Sequence, residues 1–199
     1  MGTHDEFERL TRQRVGESAA VIATLLADAD LVRTTAEVAF RLAAALRHDR
    51  RIFFFGNGGS AADAQHLAAE LVGRYRCERP GLPAMALTVN TSSLTAIAND
   101  YSFDSVFARQ IEALGSAGDV AVAISTSGTS RNVLAAAEAA KGKGLMTVGM
   151  TGRTGGQLRG IVDWCLCIPS DETPRVQECH ILVGHILCEI VETELFRDR

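Results

Sequence analysis

The segment RIFFFGNGGSAADAQHLAAELVGRY, from Arg51 to Tyr75, limits what this chain can become more than any other. Ile52, Phe53, Phe54 and Phe55 form an unbroken apolar run. A strand of that kind is buried on both faces, so its sheet is parallel and covered by helices on either side. Gly56, Gly58 and Gly59 follow at once and let the backbone take positive φ and approach a ligand closely. Ser60 reads as the N-cap of a helix beginning near Ala61. Such a turn aims free N–H groups and the positive end of a helix dipole at one point, which suits a phosphate or another anion. It is equally an ordinary tight connection with no ligand. It is neither common nucleotide motif, because it lacks the dinucleotide spacing and no Lys follows as a P-loop requires. Further on, His66 and Glu70 lie four apart and share a helix face. That pair can bind a metal or set a carboxylate base beside an imidazole, and it is also common on an exposed polar face.

The design recurs. DVAVAI, Asp119 to Ile124, is a second buried strand, and STSGTS, Ser125 to Ser130, precedes a helix reaching about Lys143. One hydroxyl there would be a cap; five in six residues favour a phosphate cradle built from hydroxyls and helix-terminal amides. Further strands are expected at Ala84–Leu87, Leu145–Met150 and Asp163–Ile168. Helical stretches lie between them: one from Ser93 to Ala98, closed by a polar corner at Asn99 and Asp100, one capped by Asp104 and running through Leu114, and a short turn over Gln157–Val162. This alternation predicts a doubly wound α/β sheet of five parallel strands, with ligands at the carboxyl ends where strand order reverses.

Two amphipathic helices precede the first strand, about Asp5 to Leu26 and Leu31 to Arg47; they either cover one sheet face or pack on a partner subunit. The closing helix, about Pro174 to Phe196, is mostly apolar, interrupted by Gln177, Glu178, His180 and His185. His180 reads as a satisfied core group, while His185 lies deep in the run and needs a partner. Arg74, Arg76 and Arg79 read as a solvated helix end that an anion could also approach.

With 199 residues the chain reads as one domain, residues 1–199, with an N-terminal helical segment at about 5–47. Its net charge of -4 argues against a nucleic-acid partner. No run approaches a membrane span and no secretory apolar segment opens the chain, so a cytoplasmic protein is expected, with no membrane partner. Cys77, Cys165, Cys167, Cys179 and Cys188 are odd in number and read as reduced core thiols. Cys165 and Cys167 point to the same face of a strand, and their spacing speaks against a metal site.

GNGGSAADAQHLAAELVGRY, AISTSGTSRNVL, MTGRTGGQL and TPRVQECHILVGHILCEIVE, in that order, closely resemble the phosphoheptose isomerases of the sugar isomerase (SIS) domain superfamily. The resemblance runs over nearly the whole chain. It implies a flavodoxin-like three-layer SIS sandwich, a homotetramer with active sites between subunits, and conversion of D-sedoheptulose 7-phosphate to D-glycero-D-manno-heptose 7-phosphate. It also implies zinc, one ion per subunit, on His66, Glu70, Gln177 and His185, with Glu70 and His185 as the acid/base pair. Asn57, Gly58, Gly59 and Ser60 resemble the sugar-binding turn, Asn99 and Asp100 a second contact, and Ser125, Thr126, Ser127 and Ser130 the phosphate loop; Glu70 and Gln177 would also touch substrate. Thr129 stands where the family commonly has Asn, and Pro174 where some members have Asp. Gln177 and His185 are eight positions apart, about 12 Å along a helix and roughly 80° around it. Either Gln177 sits in a distorted first turn or another subunit supplies a ligand. Two other readings stay open: a non-catalytic interaction protein resembling the DnaA initiator-associating proteins, and an isomerase of another sugar phosphate.

Overall fold

The computed structural model describes residues 2–197. Helix α1 (His4–Ala27) opens with a capping box between Thr3 and Glu6, and Asp28 then ends it and caps α2 (Ala29–Arg47), accepting from the N–H groups of Asp30 and Leu31. There follow β1 (Ile52–Gly56), α3 (Gly59–Val72), β2 (Ala84–Ala86), α4 (Thr91–Asp100), α5 (Ala108–Leu114) and β3 (Val120–Ile124). The chain continues through α6 (Arg131–Gly142), β4 (Met146–Thr151), β5 (Trp164–Cys167) and α7 (Thr173–Phe196), with single 3-10 turns at Phe103–Ser105 and Leu158–Gly160.

All five strands are parallel, in the order β2-β1-β3-β4-β5. The order reverses between β1 and β3, the neighbours that carry the two glycine and serine turns, so those turns flank the natural ligand crevice of a doubly wound sheet. Alternation along β1 decides the layers. Ile52 and Phe54 face a core built with α2, α3 and α7, while Phe53 and Phe55 face the opposite core with α5 and α6. The three-layer α/β sandwich expected from the sequence is therefore what forms.

Several local readings are corrected. Asn99 and Asp100 belong to α4 rather than to a corner beyond it. Asp104 does not cap α5, which starts four residues later; it pairs with Arg131. Of the two roles open to the first helices, α2 covers the sheet face, whereas α1 buries only Leu25 and leaves Phe7, Leu10, Val15, Ile22 and Leu26 exposed. Only Cys179 and Cys188 are buried core thiols; Cys77 is exposed, and Cys165 and Cys167 are half-buried. No helix among the described residues is long and apolar enough to cross a membrane.

Candidate active site

At the carboxyl end of β1 the chain needs glycine. A Cβ on Gly56 would stand 2.6 Å from the Ile124 carbonyl on β3, and Gly58 has φ of +54°. Gly58 is the N-cap of α3, so Ser60 is not; it lies buried inside the first helical turn. Asn57 reaches across the switch point to Asn132 on α6, and the two amides exchange hydrogen bonds of 2.8 Å in both directions. Asn132 is buried and fixes which way the Asn57 amide faces.

The serine turn is knitted from within. Ser125, buried at the end of β3, accepts from the Gly128 N–H at 3.1 Å and lies 3.2 Å from the Ser130 hydroxyl. Ser127 accepts from both the N–H and the hydroxyl of Thr129. Behind the turn, the loop 152–156 presses close: Gly152 N–H donates to Thr126 O, and a Cβ on Gly128 would fall 2.1 Å from Gly155 O. Two of the five hydroxyls predicted to receive a phosphate therefore accept hydrogen bonds that shape the turn itself.

Several candidate site residues gather on one stripe of α3. Gly59, Asp63, His66 and Glu70 fall on the same helix face. His66 Nε2 lies 2.8 Å from His185 Nε2 and 3.2 Å from Glu70 Oε1, and one donor atom from each of the three lies within 4.8 Å of the others. Tyr75 stacks on the His185 ring at 5.8 Å. This meeting depends on close helix packing, because Gly184 leaves room for Leu67: a Cβ there would be 2.6 Å from Leu67 Cδ2. Gln177 lies in the opening turns of the same helix, with its amide against Gly59, seven residues and about 10 Å of helix rise before His66. Asn99 and Asp100 bond to each other at the exposed end of α4, and no hydrogen bond joins them to the other candidates among the described residues.

A buried ion pair ties the two helices together. Glu192 of α7 accepts from the backbone N–H groups of Tyr75, Arg76 and Cys77 and from Arg79 Nε at 2.9 Å. The Arg79 guanidinium also donates to the carbonyls of Glu70, Leu71, Gly73 and Pro80, which satisfies the end of α3. Burial opposes the charge on Glu192, but its four donors outweigh that cost and hold the carboxyl down at about 2. Arg79 is thus neither a solvated helix end nor free for an anion. Asp63 differs: burial raises its carboxyl to about 6 against the pull of His66, and its Oδ2 has no hydrogen-bond partner among the described residues. His180 donates Nε2–H to Thr151 O at 3.1 Å, while its Nδ1 is unpartnered among the described residues, so the expected core histidine is only half satisfied. Burial pushes that imidazole down to about 4.

Comparison with known proteins shows the family. The SIS domain family matches residues 16–152. The phosphoheptose isomerase of Sulfurimonas denitrificans is 48% identical over 191 residues, covering 96% of this chain and 98% of its own. That of Rhodospirillum rubrum is 55% identical over 166 residues, covering 83% and 88%. The chain belongs to the phosphoheptose isomerase family. Among solved structures, the phosphoheptose isomerase GmhA of Neisseria gonorrhoeae superposes with a TM-score of 0.88 at 42% identity, over 94% of this chain and 99% of its own. As a phosphoheptose isomerase this chain is an enzyme, and its sheet and flanking helices are the SIS fold.

Sequence reasoning missed Asn132, Tyr75 and the Arg79–Glu192 pair. The ion pair had a signal, because an acid on the apolar stripe of α7, seven residues past His185, cannot be buried without a cation. Asn132 had none until β1 and β3 were known to be neighbours.

Proposed function

We infer that this enzyme converts D-sedoheptulose 7-phosphate to D-glycero-D-manno-heptose 7-phosphate through an enediol. The observation that carries the reading is the convergence of Glu70 with His66 and His185 in a fold whose two switch-point turns suit a sugar phosphate. Moving the carbonyl from C2 to C1 requires one proton to leave C1 and another to arrive at C2. Glu70 takes the first as a carboxylate base, and the His185 imidazole serves the opposite step. Tyr75 stacks on one face of that imidazole. Ser125, Thr126, Ser127 and Ser130 hold the phosphate with the opening amides of α6, and Asn57, Gly58, Gly59 and Ser60 hold the sugar, with Asn99 and Asp100 as a second contact.

Two imidazoles and a carboxylate are the donor set of a catalytic zinc site that keeps a position open. Zinc, one ion per subunit, would be held by His66, Glu70 and His185, with Gln177, whose amide lies against Gly59, able to join them only from another subunit; it would supply a Lewis-acidic charge for the carbonyl and enediolate oxygens.

A length supports an assembly. Glu70 is eleven residues beyond Gly59, about 16 Å along α3, which exceeds an extended heptose phosphate measured from C1 to phosphorus. The sugar-binding turn of one subunit and the acid/base pair of another would therefore share a substrate, as in a homotetramer with interfacial active sites. The exposed apolar stripe of α1 supports that assembly. A cytoplasmic setting fits a sugar-phosphate substrate.

The test is consumption of sedoheptulose 7-phosphate by purified protein, with and without zinc. Glu70→Gln should lower turnover by about 10²–10⁴-fold. Near-normal turnover of that variant would refute its role, and unchanged substrate under every condition would leave the interaction-protein reading.

A further inference from the structure

Away from the active site, on the outer edge of the sheet, β5 presents two thiols side by side. Cys165 Sγ and Cys167 Sγ are 3.5 Å apart, and the Thr151 hydroxyl of β4 lies 3.6 Å from the first and 3.5 Å from the second. They open on a cavity of about 410 Å³ between the start of α2, the loop after β4 and the end of β5. Its charged lining is Asp28, Asp30, Arg153 and Arg159. Three of these are committed elsewhere: Asp28 caps α2, Asp30 pairs with Arg33, and Arg153 pairs with Asp171. Arg159 has no ion pair among the described residues and is exposed.

We propose that Cys167 is a modification site for small anionic disulfides, with Arg159 receiving a carboxylate of the incoming molecule. The cavity has room for a peptide-sized thiol, and Arg159 is its lining cation with no ion pair among the described residues. The neighbouring donors favour the reactive form: Cys165 S–H foremost, then the Thr151 hydroxyl and the Arg159 charge, lower the Cys167 thiol against the opposing effect of burial. In the exchange, the Cys167 thiolate attacks one sulfur of the disulfide. The old S–S bond breaks, a Cys167 mixed disulfide forms, and the other half leaves as a thiolate that takes up a proton. No further oxidant is needed.

The chain contains its own control. Cys77 is more exposed than Cys167, but desolvation and the Glu192 carboxylate beside it push its thiol up, so the more exposed thiol is expected to be the slower to react. Cys179 and Cys188 are buried at 1% and 3% exposure, out of reach of a disulfide.

The experiment treats the native full-length protein with glutathione disulfide at neutral pH and maps the adducts by mass spectrometry after acid quench. Cys165→Ser is mapped in parallel, so that an adduct displaced by the neighbouring thiol is still counted. The expected result is modification of Cys167 about tenfold faster than of Cys77. Arg159→Gln, an exposed change that leaves the fold intact, should slow the reaction of glutathione disulfide about threefold and leave that of uncharged hydroxyethyl disulfide unaltered. Cys77 reacting as fast as Cys167, or Arg159→Gln slowing both disulfides equally or neither, overturns the proposal.

Discussion

Replacing Glu192 by Gln tests whether the two helices that carry His66, Glu70 and His185 are held together as described. The side chains of Glu192 and Arg79 are 5% and 0% exposed, so neither charge is shielded by solvent. A Gln carbonyl can accept from some of the four donors that converge on Glu192, but its NH₂ must then face the rest, and the Arg79 guanidinium is left buried without a counter-charge. Breaking a buried pair in this way costs about 3–5 kcal/mol. An independent route agrees: holding the carboxyl at about 2 instead of 4.5 corresponds to about 3 kcal/mol of stability at neutral pH. The sign follows from the direction. A depressed carboxyl stabilises the fold above its unfolded value, and that contribution is lost as pH falls from about 4.5 towards 2. Urea unfolding at fixed protein concentration should therefore show Glu192→Gln destabilised by about 3 kcal/mol at pH 7, with the gap to the parent narrowing on acidification. Pairing Glu192→Leu with Arg79→Met should not restore stability, because the N–H groups of residues 75–77 and the last carbonyls of α3 lose their partners as well. A loss below about 1 kcal/mol, or a gap independent of pH, would refute the account.

Gly128→Ala places a Cβ at φ of +64° and 2.1 Å from Gly155 O, so the loop behind the serine turn must move. Steady-state kinetics should show the KM for the sugar phosphate raised about tenfold or more, since strain of about 1–3 kcal/mol falls on the binding turn; an unaltered KM would contradict the phosphate assignment. Asn132→Leu removes both bonds to the Asn57 amide, and a KM rise of about tenfold with a folded protein is expected from the unpaired group. Zinc added to metal-free protein at a hundredfold excess over its dissociation constant should stabilise it by about 2.7 kcal/mol in calorimetry. His66→Gln and His185→Gln should abolish that gain, and a gain that survives both changes would place the metal elsewhere.

What could be read beforehand and what could not divide along the range of the interactions. The run Ile52–Phe55 announced a strand buried on both faces, and the two cores behind it are the result. His66 and Glu70 declared a shared face by spacing alone. Their third partner, His185, is 119 residues away and became legible only through the family resemblance. Local capping was misjudged where two rules compete. Serine favours an N-cap, but positive φ at Gly58 starts α3 a residue before Ser60, so the cap position fell to glycine. Arg79 looked like a surface cation because its carboxylate lies 113 residues on, and burial of charge cannot be inferred from one half of a pair. Asn99 and Asp100 were read as a corner on polarity, whereas α4 runs to its end through them.

Gly184 gives the chemistry an unusual mounting. Because α7 touches α3 through a bare backbone at the residue before His185, the imidazoles ride on the central packing of the molecule and not on a hinged flap. Loosening that interior should part the two imidazoles, so the metal-donor cluster should be lost in the same melting event as the native packing.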